Sequence, residues 1–306
     1  MLKIVLLISL LIIIAFFVAT FVIAWHFTNI ILYPKVAKYN YTYQHEIEKG
    51  NIQVEEFINL EKQEIYIDSE YGYKIHGFFF SNNNSKKIII LCHGITWSLY
   101  GSVKYMDIFL KRGFAVFIYD HRNHGLSGGK DTSFGYYEKF DLRKCTDWLY
   151  SNLGKDIMVG LHGESMGAGI VLQNIAIDSR IKFCIEDCGY TDAEDLFKHR
   201  LAKDYNIKKF PLIKLSSKIC KMRVGWNFKD VSPITSLPKV KIPILFIHGE
   251  EDDYVPTFMC NQMYSVKNSY KDIYIASGAG HADSYSKNSD EYEKRVNDFL
   301  KDINII

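Results

Sequence analysis

Proline is scarce, at 6 residues in 306, and the 20 glycines follow no three-residue period, which excludes collagen-like and proline-rich low-complexity chains. The six cysteines, at positions 92, 145, 184, 188, 220 and 260, form no Cys-x-x-Cys pair and no zinc spacing. Cys92 and Cys184 fall inside apolar runs and read as small core hydrophobes. Charge of one sign is not in excess either, since a net charge of +2 leaves no general nucleic-acid footprint. No internal repeat is visible. What is present, 48% hydrophobic and 24% charged residues, lies in the globular range. A domain of this length can bury roughly three-quarters of its unfolded surface.

Charge is also missing locally. From Ile4 to Trp25 there is none, and only Ser9 and Thr20 are polar. As a helix this stretch measures about 33 Å, enough for a hydrocarbon core of roughly 30 Å. A cleaved signal peptide would have a shorter apolar region and a small-x-small site, of which Val22-Ile23-Ala24 is a poor version. Residues 1–33 therefore read as a single-pass membrane anchor, with the lipid bilayer as a partner. Lys3 lies at one end and Lys35 and Lys38 at the other, so charge alone leaves the orientation open. The reading adopted puts the catalytic domain on the extracytoplasmic side. Residues 34–60, polar and rich in tyrosine, read as a linker with one short helix.

From residue 61 onward, strand and helix patterns alternate. EIYID (64–68) and YKIHGFFF (73–80) flank Gly72 as a hairpin. KIIILC, FAVFIYD, DIMVGL, IKFCIED, KIPILFIHG and DIYIA read as buried strands, and residues 103–112, 138–152, 168–177 and 291–303 as helices. This predicts an α/β fold, with a mostly parallel eight-stranded sheet covered by helices on both faces.

Gly-x-Ser-x-Gly occurs twice, around Ser127 and around Ser165. The string alone is weak, and context decides. Nucleophilic chemistry needs a sharp strand-to-helix turn with small residues two positions either side of the serine. Ser165, between Gly163 and Gly167, follows DIMVGLH and precedes the apolar run AGIVLQNIAI, whereas Ser127 starts no apolar helix. Such a turn places the Met166 N–H at a helix N-terminus, where it can stabilise an oxyanion. A second donor is expected from the loop after KIIILC, where Gly94 permits close approach and Ile95 offers its N–H. His93 reads as a packed loop histidine.

A serine nucleophile needs a base, and the base an orienting carboxylate. His281, directly after DIYIA in SGAGHADSY, ranks first among the ten histidines. The acidic turn Glu250-Glu251-Asp252-Asp253 follows another strand, and the order Ser165, Asp252, His281 puts each residue just past a strand's carboxyl end. Asp187 is the second choice of acid. No metal or other cofactor is expected, because His121, His124 and Asp120 lack a frame for a third ligand.

LCHGIT, YDHRNHGLSGG, GLHGESMGAG, FIHGEEDDYVP and SGAGHADSY, in this order, resemble the α/β-hydrolase superfamily. They are most similar to bacterial membrane-anchored, serine aminopeptidase-type (hydrolase-4-like) enzymes, with coverage of about residues 61–306. The resemblance implies an α/β-hydrolase fold, favours Asp252 over Asp253 as the acid, and makes the Ser127 loop structural. It also implies a cap insertion at about 190–240, too short for an enclosed lipase-type tunnel. Within that insertion, residues 198–229 hold ten Lys or Arg against one acid, a net +9 that leaves −7 elsewhere. A helix there would present Leu212, Leu215, Ile219 and Met222 on one face and Lys214, Lys218 and Lys221 on the other, against the core or on anionic lipid.

The function expected is that of an anchored serine hydrolase acting on small-molecule or lipid-like esters. A peptidase or amidase of the same fold is the first alternative, and a non-catalytic membrane scaffold the second. Neither nucleic acid nor a particular oligomer is implied.

Overall fold

The computed structural model describes residues 1–207 and 212–306, so Lys208, Lys209 and Pro211 of the basic window lie outside the described residues. The apolar runs form one sheet of eight strands: β1 (Lys62–Asp68), β2 (Lys74–Phe80), β3 (Lys87–Cys92), β4 (Ala115–Tyr119), β5 (Met158–Glu164), β6 (Ile181–Asp187), β7 (Ile244–Gly249) and β8 (Lys271–Ala276). Their spatial order is β1-β2-β4-β3-β5-β6-β7-β8. β2 pairs antiparallel with both β1 and β4, and every other pair is parallel.

Alternate residues of β3 enter two cores. Ile88 and Ile90 join the cluster holding Leu142, Ile170 and Leu172, while Ile89 and Leu91 join Phe109, Val296 and Phe299 on the other face. The covering helices are α4 (Met106–Leu110), α5 (Glu138–Leu153), α6 (Met166–Asn174), α10 (Thr257–Val266) and α12 (Ser289–Asp302); α9 (Pro233–Ser236) and α11 (Ser284–Lys287) are single turns. Chain order reverses direction across the sheet at β3, so the loops leaving β3, β5, β7 and β8 converge at one edge.

At the N-terminus, α1 (Leu2–Leu32) is long and apolar enough to cross a membrane by length and composition, with a mean hydropathy of 3.1 in its most apolar window. Its first two-thirds are exposed. Its end is not: Ala24, Phe27, Ile31 and Leu32 are buried in the main core. The insertion, which forms α7 (Ala193–Tyr205) and α8 (Leu212–Val224), supplies the other side of this contact through α8. Ser216 Oγ donates to Ala24 O at 3.2 Å, Thr28 Oγ1 donates to Ser216 O at 3.4 Å, and the Arg223 guanidinium lies 4.2 Å from the Trp25 ring centroid. Small residues on both helices allow this close approach.

This docking turns α8 from the orientation expected. Leu212, Ile213, Ser216, Ile219 and Cys220 are buried, whereas Met222 is 69% exposed. Lys214, Lys218 and Lys221 face solvent. The apolar face is spent on the core and on α1, so it is not available to lie on lipid.

The stretch after α1 also differs from the single-helix linker expected. It forms α2 (Tyr39–Glu48) and α3 (Val54–Asn59), and both pack on the hydrolase domain. Aromatic side chains drive this. Tyr39 and Tyr43 lie 4.9 and 4.8 Å from the Tyr100 ring, and Phe57 lies 5.7 Å from Phe80.

Candidate active site

The turn between β5 and α6 holds Ser165 at φ +56°, ψ −115°, a region that L-residues avoid and that only an over-determined surrounding sustains. Two glycines make the turn possible. A Cβ on Gly163 would overlap the Gly167 backbone, and a Cβ on Gly167 would overlap Cys92 O and lie 2.7 Å from His93 O. The Ser165 N–H donates to Asp187 O at 2.8 Å, which ties the turn to β6.

Ser165 Oγ lies 2.8 Å from His281 Nε2, and His281 Nδ1 lies 2.7 Å from Asp252 Oδ2. The structure thus brings the three residues together as one hydrogen-bonded chain, from the ends of β5, β8 and β7. Asp252 Oδ1 accepts the N–H groups of Tyr254 and Val255, both at 2.9 Å, which fixes the carboxylate plane. Burial would raise the Asp252 pKa, but the hydrogen bonds from His248 and His281 outweigh it and hold the carboxyl below its usual range. The other acids stand elsewhere. Asp253 pairs with Lys203 at 3.1 Å, and Asp187 accepts from Ser284 Oγ at 3.1 Å with its pKa raised to about 6 by burial.

Met166 is the first residue of α6, where an N–H has no acceptor within the helix. Ile95 sits in the facing loop, and both Ile95 and Ser165 border the same cleft. Three histidines hold that loop. The Thr96 N–H donates to His124 Nε2 at 3.0 Å, the His121 N–H donates to His93 Nε2 at 3.1 Å, and His93 Nδ1–H donates to Gly94 O at 2.7 Å. Burial pushes the pKa values of all three down, so the rings stay neutral: His93 and His124 accept these N–H groups through Nε2, while His121 Nε2–H donates to His93 O at 3.0 Å. Asp120 is likewise spent, accepting from Leu99 N, Leu126 N and His76 Nδ1, which is incompatible with a metal role. Ser127 Oγ donates to Asp120 O at 2.6 Å and accepts from His76 N at 2.9 Å, so it is built into the loop.

Cys188, Asp252 and His281 place ligand-type atoms within 4.8 Å of one another. Burial drives the Cys188 thiol pKa well up, and Asp252 and His281 are already bonded to each other, so the set fits proton transfer better than a cation.

Some residues of the site were given no role from the sequence. His248 Nε2 lies 3.2 Å from Asp252 Oδ2, so the carboxylate serves two histidines. Glu164 pairs with Lys104 at 2.6 Å and accepts from Tyr105 OH at 2.6 Å, and its pKa falls because Lys104 outweighs the opposing effect of burial. Glu46 of α2 reaches the same cleft, of about 1080 Å³. Only the Gly-Glu-Ser string hints at Glu164; Lys104 and Glu46 look like ordinary helix-face charges.

Strand order, nucleophile turn and Ser–His–Asp chain together define the class of α/β hydrolases. A family model described as Serine aminopeptidase, S33 matches residues 83–184. An uncharacterized protein of Bacillus subtilis, YqkD, is 37% identical over 280 residues, spanning 91% of this chain and 92% of its own. An uncharacterized membrane protein of Saccharomyces cerevisiae, YNL320W, is 25% identical over 293 residues, spanning 90% and 89%. Among solved structures, the esterase Pf2001 of Pyrococcus furiosus superposes with a TM-score of 0.67 at 23% identity, covering 82% of this chain and 96% of its own. The chain belongs to the α/β-hydrolase superfamily.

Proposed function

We propose that this protein is a membrane-anchored serine hydrolase that cleaves carboxylic ester bonds through an acyl-enzyme. The observation that carries the reading is the hydrogen-bonded chain Ser165–His281–Asp252, at 2.8 and 2.7 Å, with Ser165 strained at a helix N-terminus. His281 Nε2 removes the Ser165 proton as Oγ attacks the carbonyl carbon. Asp252 fixes the tautomer by accepting from Nδ1–H and stabilises the imidazolium that forms. The Met166 and Ile95 amides receive the developing oxyanion, an interaction typically worth about 3–4 kcal/mol for one donor. His281 then returns the proton to the leaving alcohol, and water, activated by the same histidine, releases the acid. The chemistry uses no cofactor.

Ester bonds come first because an alkoxide leaves more readily than the unprotonated nitrogen of an amide, so this chain of residues suffices for them. A peptidase or amidase is the second reading. The match of residues 83–184 to the family model described as Serine aminopeptidase, S33 favours it. A panel of p-nitrophenyl esters against aminoacyl amides decides between the two, and ester turnover no faster than amide turnover would reverse the order. Failure of a fluorophosphonate probe to label Ser165 would leave a non-catalytic scaffold instead. The length and apolarity of α1 support the single-pass anchor. Placement of the domain on the extracytoplasmic side is tested by protease accessibility in intact cells.

A further inference from the structure

The catalytic cleft has an unexpected wall. Among its lining residues, alongside Ile95, Ser165 and His281, are Glu46, Gln53 and Phe57 from α2, α3 and their connection. Among the described residues, none from the insertion at 190–240 lines it. From the insertion, the Arg200 guanidinium lies 4.1 Å from the ring of Tyr254, itself a lining residue, which packs 4.8 Å from His281.

The wall is fixed to the oxyanion loop itself. The Ala37 N–H donates to Thr96 O at 2.8 Å, Trp97 Nε1–H donates to Glu46 Oε1 at 2.8 Å, and the Thr42 and Ser98 hydroxyls lie 2.5 Å apart. Asn51 Nδ2 donates to the other Glu46 oxygen at 2.6 Å, so both oxygens of this buried carboxylate brace the wall. Hydrogen bonds on consecutive residues Thr96, Trp97 and Ser98 make the wall and the oxyanion loop one rigid unit.

We propose that residues 39–59, the stretch joining α1 to the sheet, are the specificity wall of this enzyme, and that the insertion does not select substrate. The proposal rests on the hydrolase reading above. Substrate bulk extending beyond the scissile carbonyl toward α2 and α3 meets Gln53 and Phe57, so the size and shape accepted there are set before β1 begins.

The test uses the full-length protein in detergent. All six native cysteines are buried, so a cysteine introduced at an exposed position is the one that a bulky maleimide reaches first. Gln53→Cys places the label on the wall, and Met222→Cys places it on the exposed surface of the insertion. The readout is the ratio of kcat/KM for a bulky naphthyl ester to that for p-nitrophenyl acetate. Labelling at residue 53 should lower this ratio at least tenfold, and labelling at residue 222 should leave it within twofold. An unchanged ratio at residue 53, or an equal fall at residue 222, overturns the proposal while leaving the hydrolase reading intact. Absence of turnover of both esters by the unlabelled protein overturns the two together.

Discussion

Replacing Asp252 by Asn tests the site most sharply, because the change alters charge and donor pattern with almost no change in shape. In the native site Oδ1 accepts two turn amides and Oδ2 faces His281 Nδ1 at 2.7 Å and His248 Nε2 at 3.2 Å. An Asn can keep its oxygen on the Tyr254 and Val255 amides, and its NH₂ then points at two histidine N–H groups. Donor meets donor, so His281 is driven to the tautomer with its proton on Nε2, where it cannot accept from Ser165. Loss of the orienting carboxylate typically costs on the order of 10⁴ in turnover, equivalent to about 5.5 kcal/mol of transition-state stabilisation. Steady-state hydrolysis of p-nitrophenyl acetate reads this directly, and thermal melting checks that the fold survives. Asp253→Asn and Asp187→Asn, neither of which meets His281, should each stay within tenfold of the parent. Asp252→Asn activity within tenfold of the parent, or a full loss at Asp187, would refute the assignment.

Ser165→Ala should abolish ester hydrolysis with melting unchanged, whereas Ser127→Ala should keep activity and melt lower, since it strands the His76 N–H at a cost of about 1–3 kcal/mol. Equal activity losses would undo the distinction. A chain beginning at residue 34 removes Phe27, Ile31 and Leu32 from the core, at about 1.5–3 kcal/mol each, which together rivals the stability of a whole domain. It should aggregate in size-exclusion chromatography, while one beginning at residue 23 stays monodisperse; equal behaviour would show that the end of α1 is dispensable. Burial raises the Glu186 pKa from 4.5 to about 8, so the folded chain holds more protons than the unfolded one across that interval and loses stability as pH rises through it. Glu186→Gln should therefore gain more in Tm at pH 8 than at pH 5, and a pH-independent difference would contradict the burial argument.

The sheet was readable because strands buried on both faces are continuous apolar runs, and Ile88–Leu91 and Ile244–Ile247, short and rich in isoleucine, match a strand better than a helix. The Ser165 turn was equally legible, since the glycines, the strand before it and the apolar helix after it all express one steric demand. Asp252 and His281 needed chain order as well as local pattern, and the acidic turn around Asp252 is no different in composition from a solvated one. What could not be read was tertiary docking of short polar helices. Residues 39–59 lack a strong apolar period because their contacts are aromatic edges and single hydrogen bonds, such as Trp97 to Glu46. The rotation of α8 was hidden for a related reason: its partner, α1, is so uniformly apolar that no periodicity marks which of its residues meets Ser216.

The rigid seating of α1 and the folded stretch after it have a consequence for where chemistry can happen. A flexible leash as long as residues 34–60 would let a catalytic domain wander over roughly 30 Å and sample substrates at any height above a bilayer. Here the end of α1 is locked into the core and the next residues are bonded to the oxyanion loop. Were α1 to lie in a bilayer, as proposed, height and tilt would be constants of the fold, and the molecule would act as a ruler. On the proposed function, bonds presented at the height of its mouth would meet Ser165, while the same bonds held nearer to or farther from the lipid would be out of its reach.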